Sequence, residues 1–289
     1  METKVIDIRS EAFSSVDLVH QCLIDTNKAE AFKETLQNVV QKNSTVLECG
    51  TGSGILSLIA AQAGAKAITA IEFDPYIANV AKDNISLNGK DHIITVLTED
   101  ARNITFPNGT HFDIIIMEMI NTGLIEEMQV QAMNNLHAQN LITLTTVLIP
   151  AVQETYITLA YTDFKQHGFT MKMVKQMWQE IKSDAVLSRL SGKQLLNRID
   201  FSSPTPELFT AQIQFEVEQS GEINSIILSG KTILNKEETI VLDSTFSLNP
   251  DIIIPLPEER NVEKGEIIAL EIEYIFGGGF QTFKADYAI

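Results

Sequence analysis

The sequence predicts an α/β protein with an all-β second half: a Rossmann-like parallel sheet covered by helices, followed by an antiparallel β-barrel. Three observations predict it. Short apolar runs alternate with helical patterns as far as Pro150; beyond Pro150 apolar residues recur at every second position; and an early apolar run leads directly into Gly50-Thr51-Gly52-Ser53-Gly54. Continuous apolar strands separated by helices belong to a parallel sheet buried on both faces, whereas strict alternation belongs to half-buried antiparallel strands. The 289 residues suffice for about two domains. The expected division is a helical segment over 1–40, the Rossmann-like part over 41–150, and the β-barrel over 151–289 with a helical insertion near 174–197.

In chain order, Ala29, Phe32, Leu36, Val39 and Val40 share one face of a helix in the first segment. Strands are expected at 44–48, 67–72, 93–97 and 112–117, with a fifth inside 141–149. Helices are expected at 55–63 and 75–88, the second with Pro75 in its first turn and Asn88-Gly89 as its stop. In the second half, Ile213, Phe215 and Val217 alternate with Gln212, Gln214 and Glu216, and Leu270, Ile272, Tyr274 and Phe276 alternate with Glu271, Glu273 and Ile275. Met171, Met173 and Met177 are expected to pack in the core or between domains.

Composition excludes several classes. The 21 basic and 38 acidic residues give a formal net charge of −17, which argues against nucleic acid or an anionic membrane as partner, since both call for a basic face. A cationic partner is compatible with it. The charged start Met1-Glu2-Thr3-Lys4 lacks a signal-peptide core, and no apolar stretch is long enough to span a bilayer. Two cysteines, Cys22 and Cys49, are too few for a disulfide framework or thiolate metal site, and the five histidines show no metal spacing. A cytoplasmic protein without a metal is expected.

The glycine stretch is the most informative. In Val46-Leu47-Glu48-Cys49-Gly50-Thr51-Gly52-Ser53-Gly54-Ile55-Leu56 a buried strand runs through glycines into a helix, so that backbone approaches a ligand closely at a helix start. A dinucleotide fingerprint needs its third glycine at the place of Ile55, and Glu48 at the strand end would repel a diphosphate. A ligand with an ammonium or sulfonium centre suits the loop better. The pattern resembles the first motif of the class I S-adenosylmethionine-dependent methyltransferases. That resemblance implies S-adenosyl-L-methionine as cofactor, bound by Glu48, Gly50, Gly52, Gly54, Ile55 and Leu56. Glu72 at the end of the next strand would hold the ribose hydroxyls, with Asp74 as the alternative; Asp100 and Ala101 after the third strand fall where the family contacts adenine.

Two more acids follow. Glu118 leaves the fourth strand and Glu127 stands nine residues on. At about 100° per residue they would face opposite sides of a continuous helix, so they converge only across a loop, which Asn121-Thr122-Gly123 supplies. An acid leaving strand four and a second acid nine residues later resemble the double-Glu loop of the protein arginine methyltransferases. Leu23-Ile24-Asp25-Thr26-Asn27-Lys28 is similar to the family's leading helix, and Ile149-Pro150 to its passage into a C-terminal barrel. The resemblance implies that Glu118 and Glu127 grip a guanidinium and orient one nitrogen toward the methyl group. Glu126 and Glu127 also read as an exposed acidic pair opening a helix.

Departures limit the inference. Lys28 stands where the family has an arginine on the cofactor carboxylate, and a lysine lacks the bidentate fork. The family's Thr-His-Trp loop has no counterpart: the nearest segment, Leu248-Asn249-Pro250-Asp251-Ile252, lacks both aromatic residues, and Trp178 lies far upstream. The expected activity is N-methylation of a guanidino or amino group on a peptide, protein or small metabolite. O-methylation of a small molecule, an inactive binding protein on the same fold, and a nucleotide-dependent oxidoreductase are the rivals. Family members dimerise through a helical arm, and residues 174–197 are the segment available for one. Gly277-Gly278-Gly279 is expected to form a bulge or hairpin turn.

Overall fold

The computed structural model describes residues 15–177 and 186–288. It begins with helices α1 (Val16–Ile24) and α2 (Thr26–Val39). Asp25 separates them: its side chain accepts from the Lys28 N–H and caps α2. Phe32 and Leu36 bury the inner face of α2, as the apolar spacing predicts.

Strands β1 (Thr45–Cys49), β2 (Ala67–Glu72), β3 (Ile94–Thr98), β4 (Ile114–Met117) and β5 (Val147–Ile149) form one parallel sheet in the order β3-β2-β1-β4-β5. Helices α3 (Ile55–Ala63), α4 (Pro75–Leu87) and α5 (Gln129–Ala138) accompany them. Val46 lies opposite Ile68 on one side and Ile114 on the other, so β1 is central and buried on both edges. The order reverses between β1 and β4, which opens a crevice outside their carboxyl ends. The fifth strand is shorter than the apolar run allowed, because Thr143, Thr145 and Thr146 bond one another in a turn before Val147.

Two antiparallel sheets follow. Strands β6 (Val152–Thr162), β9 (Lys175–Met177), β10 (Val186–Arg189), β11 (Gln194–Asp200), β13 (Gly221–Ile233), β14 (Val241–Leu242) and β15 (Asp251–Val262) make a seven-stranded sheet; β7 (Lys165–Gln166) and β8 (Phe169–Thr170) form a separate small hairpin. Strands β12 (Leu208–Glu216), β16 (Ile267–Ile275) and β17 (Lys284–Tyr287) make the second sheet. The two-residue alternation is visible in β16, where Ile268, Leu270, Ile272 and Tyr274 are buried and Glu271 and Ile275 exposed. A continuous core joins the parallel and antiparallel layers.

Two expectations fail here. The helical insertion expected near 174–197 holds no helix among the described residues; it contributes strands β9, β10 and β11 joined by irregular chain, and Trp178 lies outside the described residues. Leu196 and Ile199 are buried while Leu195 and Arg198 face out, and β6 pairs with the segment across a register shift at Leu195–Asn197. That shift breaks the period-two pattern and makes it look helical in sequence. Met171 and Met173 are 51% and 62% exposed rather than packed; Met177 alone lies against core residues.

Candidate functional site

The crevice at the carboxyl ends of β1 and β4 is a cavity of about 400 Å³, within the size range of small-molecule sites. One end is lined from β2 and β3 by Glu72, Phe73, Asp100 and Ala101; the other, from α2 and the β4 exit, by Lys28, Glu118, Glu126 and Glu127. Three strand spacings, about 14 Å, separate β3 from β4. An extended ligand is therefore accommodated.

The glycine loop forms the floor. Gly50, Gly52 and Gly54 all have positive φ, 75°, 52° and 85°. A side chain at Gly50 would meet Met119 Cγ at 2.8 Å, so glycine is required both for the turn and for the close approach. Gly50, Gly52, Ile55 and Leu56 line the cavity. Gly54, expected among the ligand-binding glycines, does not: it turns the chain into α3 and packs on Ile85. The loop's amides are engaged within the protein, Gly50 and Thr51 donating to the Ile71 carbonyl and Gly52 to Glu72 Oε2 at 2.9 Å. This loop does not present a row of free N–H groups to a pyrophosphate.

Glu48 is buried, and its Oε2 accepts from Thr51 Oγ1 at 2.8 Å and from Ser57 Oγ. Burial raises its carboxyl to about 7, against the lowering effect of these bonds. It ties the loop to the first turn of α3. Glu72 accepts from the N–H groups of Gly52 and Asp74, so it orders the loop while facing the cavity. Asp74, the alternative to Glu72, caps α4 through the Ile77 N–H at 2.9 Å and is not a lining residue. Asp100 lines the cavity but is held by Arg102, with Nη2 2.7 Å from Oδ2. Burial pushes its carboxyl up and the bonds from Arg102 outweigh that, leaving it below its ordinary value.

At the other end, Lys28 Nζ lies 2.8 Å from Glu118 Oε2, and both side chains are largely buried. Burial alone pushes the Lys28 ammonium down; Glu118 first and Cys22 second overcome this and hold it above its usual range. Beyond Glu118 the chain is not a continuous helix. Thr122–Leu124 make one 3-10 turn in which Gly123 (φ 78°) and Leu124 (φ 52°) are left-handed, and α5 starts only at Gln129. Glu118 and Glu127 thus reach one cavity, and Glu126 with them. Neither Glu126 nor Glu127 is an exposed residue opening a helix. The Glu127 side chain is half-buried, lines the cavity and has no hydrogen bond among the described residues. Burial, and then the charge of Glu118, push it well above the carboxylate range, with Lys28 opposing.

Several positioning residues carry no sequence signature. Gln129 Nε2 donates to the Met117 carbonyl and its Oε1 accepts from the Met119 N–H, which fixes the β4 exit. Tyr274 Oη donates to the Gly123 carbonyl at 3.0 Å, and Gly277 and Gly279 donate to the carbonyls of Leu124 and Ile125. The triglycine run is therefore a turn docked on the acidic loop. Asp25 Oδ2 accepts from Thr245 Oγ1 and from Ser247 N and Oγ, drawing the segment before Pro250 to the site. Asn249, where the Thr-His-Trp loop would fall, is buried between Gln153 and Thr232 and does not line the cavity.

The sequence model of the family described as ribosomal protein L11 methyltransferase (PrmA) matches residues 32–185. An uncharacterized protein of Methanocaldococcus jannaschii is 31% identical over 92% of this chain and 95% of its own length. Protein arginine N-methyltransferase 1 of Oryza sativa is 28% identical over 76% of this chain and 61% of its own length. Among solved structures, the PRMT1 enzyme–prozyme heterotetrameric complex of Trypanosoma brucei with AdoHcy superposes with a TM-score of 0.73 at 15% identity, covering 96% of this chain and 98% of the other.

Proposed function

Since the chain belongs to the family described as ribosomal protein L11 methyltransferase (PrmA) and is an S-adenosylmethionine-dependent methyltransferase resembling the protein arginine methyltransferases, we propose that it N-methylates a guanidino or amino group held by Glu118 and Glu127. The observation that carries this reading is the half-buried Glu127 carboxyl, which lines the cavity together with the Lys28–Glu118 pair and has no hydrogen-bond partner among the described residues. An acid held partly out of water without a partner is costly unless a cation arrives to meet it.

The residues present fit the cofactor. The cavity is elongated from β3 to β4, its glycine floor admits close approach, and carboxylates rather than free amides surround it. Glu72 would hold the ribose, Asp100 and Ala101 the adenine end, and Lys28 the carboxylate while keeping its bond to Glu118. Glu48, Gly50, Gly52, Ile55 and Leu56 would shape the floor, with Gly54 acting through the turn into α3. When bound, the cofactor would supply an electrophilic sulfonium methyl for transfer to a nucleophilic nitrogen, with its sulfur as the leaving group. Glu118 and Glu127 hold the nitrogen in line for that displacement. Glu127 takes the proton the nitrogen loses and returns it to solvent, a role suited to a carboxyl held well above the ordinary carboxylate range by burial and by the charge of Glu118.

We infer further that the two antiparallel sheets close as a barrel, supported by the Ser191–Val217 bridge between segments leading to β11 and from β12. A cytoplasmic location is supported by two free cysteines, Cys22 and Cys49. Among the described residues no helix is long and apolar enough to cross a membrane. A homodimer is supported by α1, which exposes Val16, Leu23 and Ile24 and buries no residue. Calorimetry with S-adenosylmethionine, followed by mass spectrometry of guanidino and amino compounds and peptides incubated with the protein, tests the function. Methylation of hydroxyl or carboxyl compounds alone would overturn it.

A further inference from the structure

We propose that the acceptor is a small dication, a guanidino- or aminoalkylamine, and that Glu126 reads its second charge. The inference rests on the reading that Glu118 and Glu127 grip the methyl-accepting nitrogen, and it adds a third carboxylate to that site.

Glu126 is a built feature rather than a solvated acid. Its Oε2 accepts from Gln176 Nε2 at 2.9 Å and from Asn121 Nδ2 at 3.3 Å, and its backbone N–H donates to Asn121 Oδ1 at 3.3 Å. Gln176 lies on β9 of the antiparallel sheet and Asn121 in the β4 exit loop, so the carboxylate is clamped from both layers. Its Oε1 makes no hydrogen bond among the described residues, and Glu126 lines the cavity. Neutral amides orient a carboxylate without cancelling its charge.

The charges at this end do not balance. Glu118, Glu126 and Glu127 line it, and Lys28 is the cation among the described lining residues there; Arg102, at the far end, is held by Asp100. Lys28 and Glu118 neutralise each other at 2.8 Å. Once transfer has removed the sulfonium charge, a singly charged acceptor answers one of Glu126 and Glu127 and leaves the other facing the cavity unmatched. Glu126 and Glu127 are sequence neighbours that line one cavity, so a ligand with two cationic groups joined by a short alkyl chain fits the pair. Ser247, Pro250 and Ile252 border the same cavity with no charge.

The test compares 4-aminobutylguanidine with butylguanidine, which differ by one ammonium. Binding of each is measured by calorimetry on the full chain saturated with S-adenosylhomocysteine, and methylation by mass spectrometry. The dication should bind about 10- to 100-fold more tightly, the effect of one charge-assisted contact. Glu126→Gln should bring the ratio of the two affinities close to one. Gln176→Leu, which frees Glu126 without removing its charge, should reduce the ratio part-way. S-adenosylhomocysteine binding reports that each variant is folded. Equal affinities in the unaltered protein, or equal weakening of both probes by Glu126→Gln, would overturn the proposal. If Glu127→Gln leaves both affinities as they were, the double-acid reading itself fails, and that pattern is distinct from failure at Glu126.

Discussion

Lys28 Nζ and Glu118 Oε2 stand 2.8 Å apart, joining the first turn of α2 to the acid that leaves β4. The contact spans 90 residues of sequence and couples the residue proposed to hold the cofactor with one proposed to hold the acceptor. Replacing the lysine by methionine strands a buried carboxylate. We expect Lys28→Met to cost about 3–5 kcal/mol of stability and to lower kcat/KM at least about 100-fold, whereas Lys28→Arg keeps the charge and most of the stability. Chemical denaturation and steady-state kinetics check this. Because the Lys28 ammonium is held above its unfolded value, its contribution is complete below about pH 10 and is lost only as the pH rises beyond.

Glu48 gives a pH dependence of the opposite placement. Its folded carboxyl sits at about 7, above an unfolded value of about 4.3, so between those limits the native state binds more protons than the unfolded chain. Its contribution to stability is therefore present below about pH 4 and is lost as the pH rises through about 7. Glu48→Gln should flatten the melting-temperature profile between about pH 4 and about pH 7. An unchanged slope in the variant would show that Glu48 does not titrate there.

Glu127 should separate stability from activity. A half-buried carboxylate without a hydrogen-bond partner, beside the Glu118 carboxylate, costs the fold more than a neutral amide of the same shape. Glu127→Gln is expected to hold or raise the melting temperature while lowering kcat by about 100-fold or more, within the range of a lost general base. Calorimetry should show S-adenosylmethionine binding retained within about tenfold, roughly 1.4 kcal/mol.

Tyr274 acts through the acidic loop. Its hydroxyl donates to the Gly123 carbonyl and accepts from Asn197 Nδ2 at 2.7 Å. Tyr274→Phe removes both bonds inside the core and should cost about 1–3 kcal/mol. Because Gly123 and Leu124 carry the left-handed turn that aims Glu127, kcat should fall further than cofactor affinity does. Equal losses in both would mark Tyr274 as structural alone.

How much of this was legible in sequence depends on the range of the interaction. The strand–glycine–helix passage at Gly50, Gly52 and Gly54 is local, because backbone geometry and residue type are coupled within a few positions; it was readable, as were α4 with Pro75 and the alternation in β16. The helix expected near 174–197 failed because pairing with β6, including a register shift at Leu195–Asn197, overrides local periodicity. The exposed acidic pair also misleads when read alone. Nothing local shows that Gln176, 50 residues on, reaches Glu126.

The order of the elements as far as β5, the glycine turn after β1 and the acids available at each strand end of the parallel sheet followed from the linear chain, since these depend on steric and periodic rules that act between near neighbours. Which acids hold partners did not. Asp100 is taken by Arg102, Glu72 by the Gly52 and Asp74 amides, Glu118 by Lys28, while Glu127 faces the cavity without a hydrogen bond among the described residues. Burial and the distance between charges set those differences, and both are properties of the folded layers rather than of any segment.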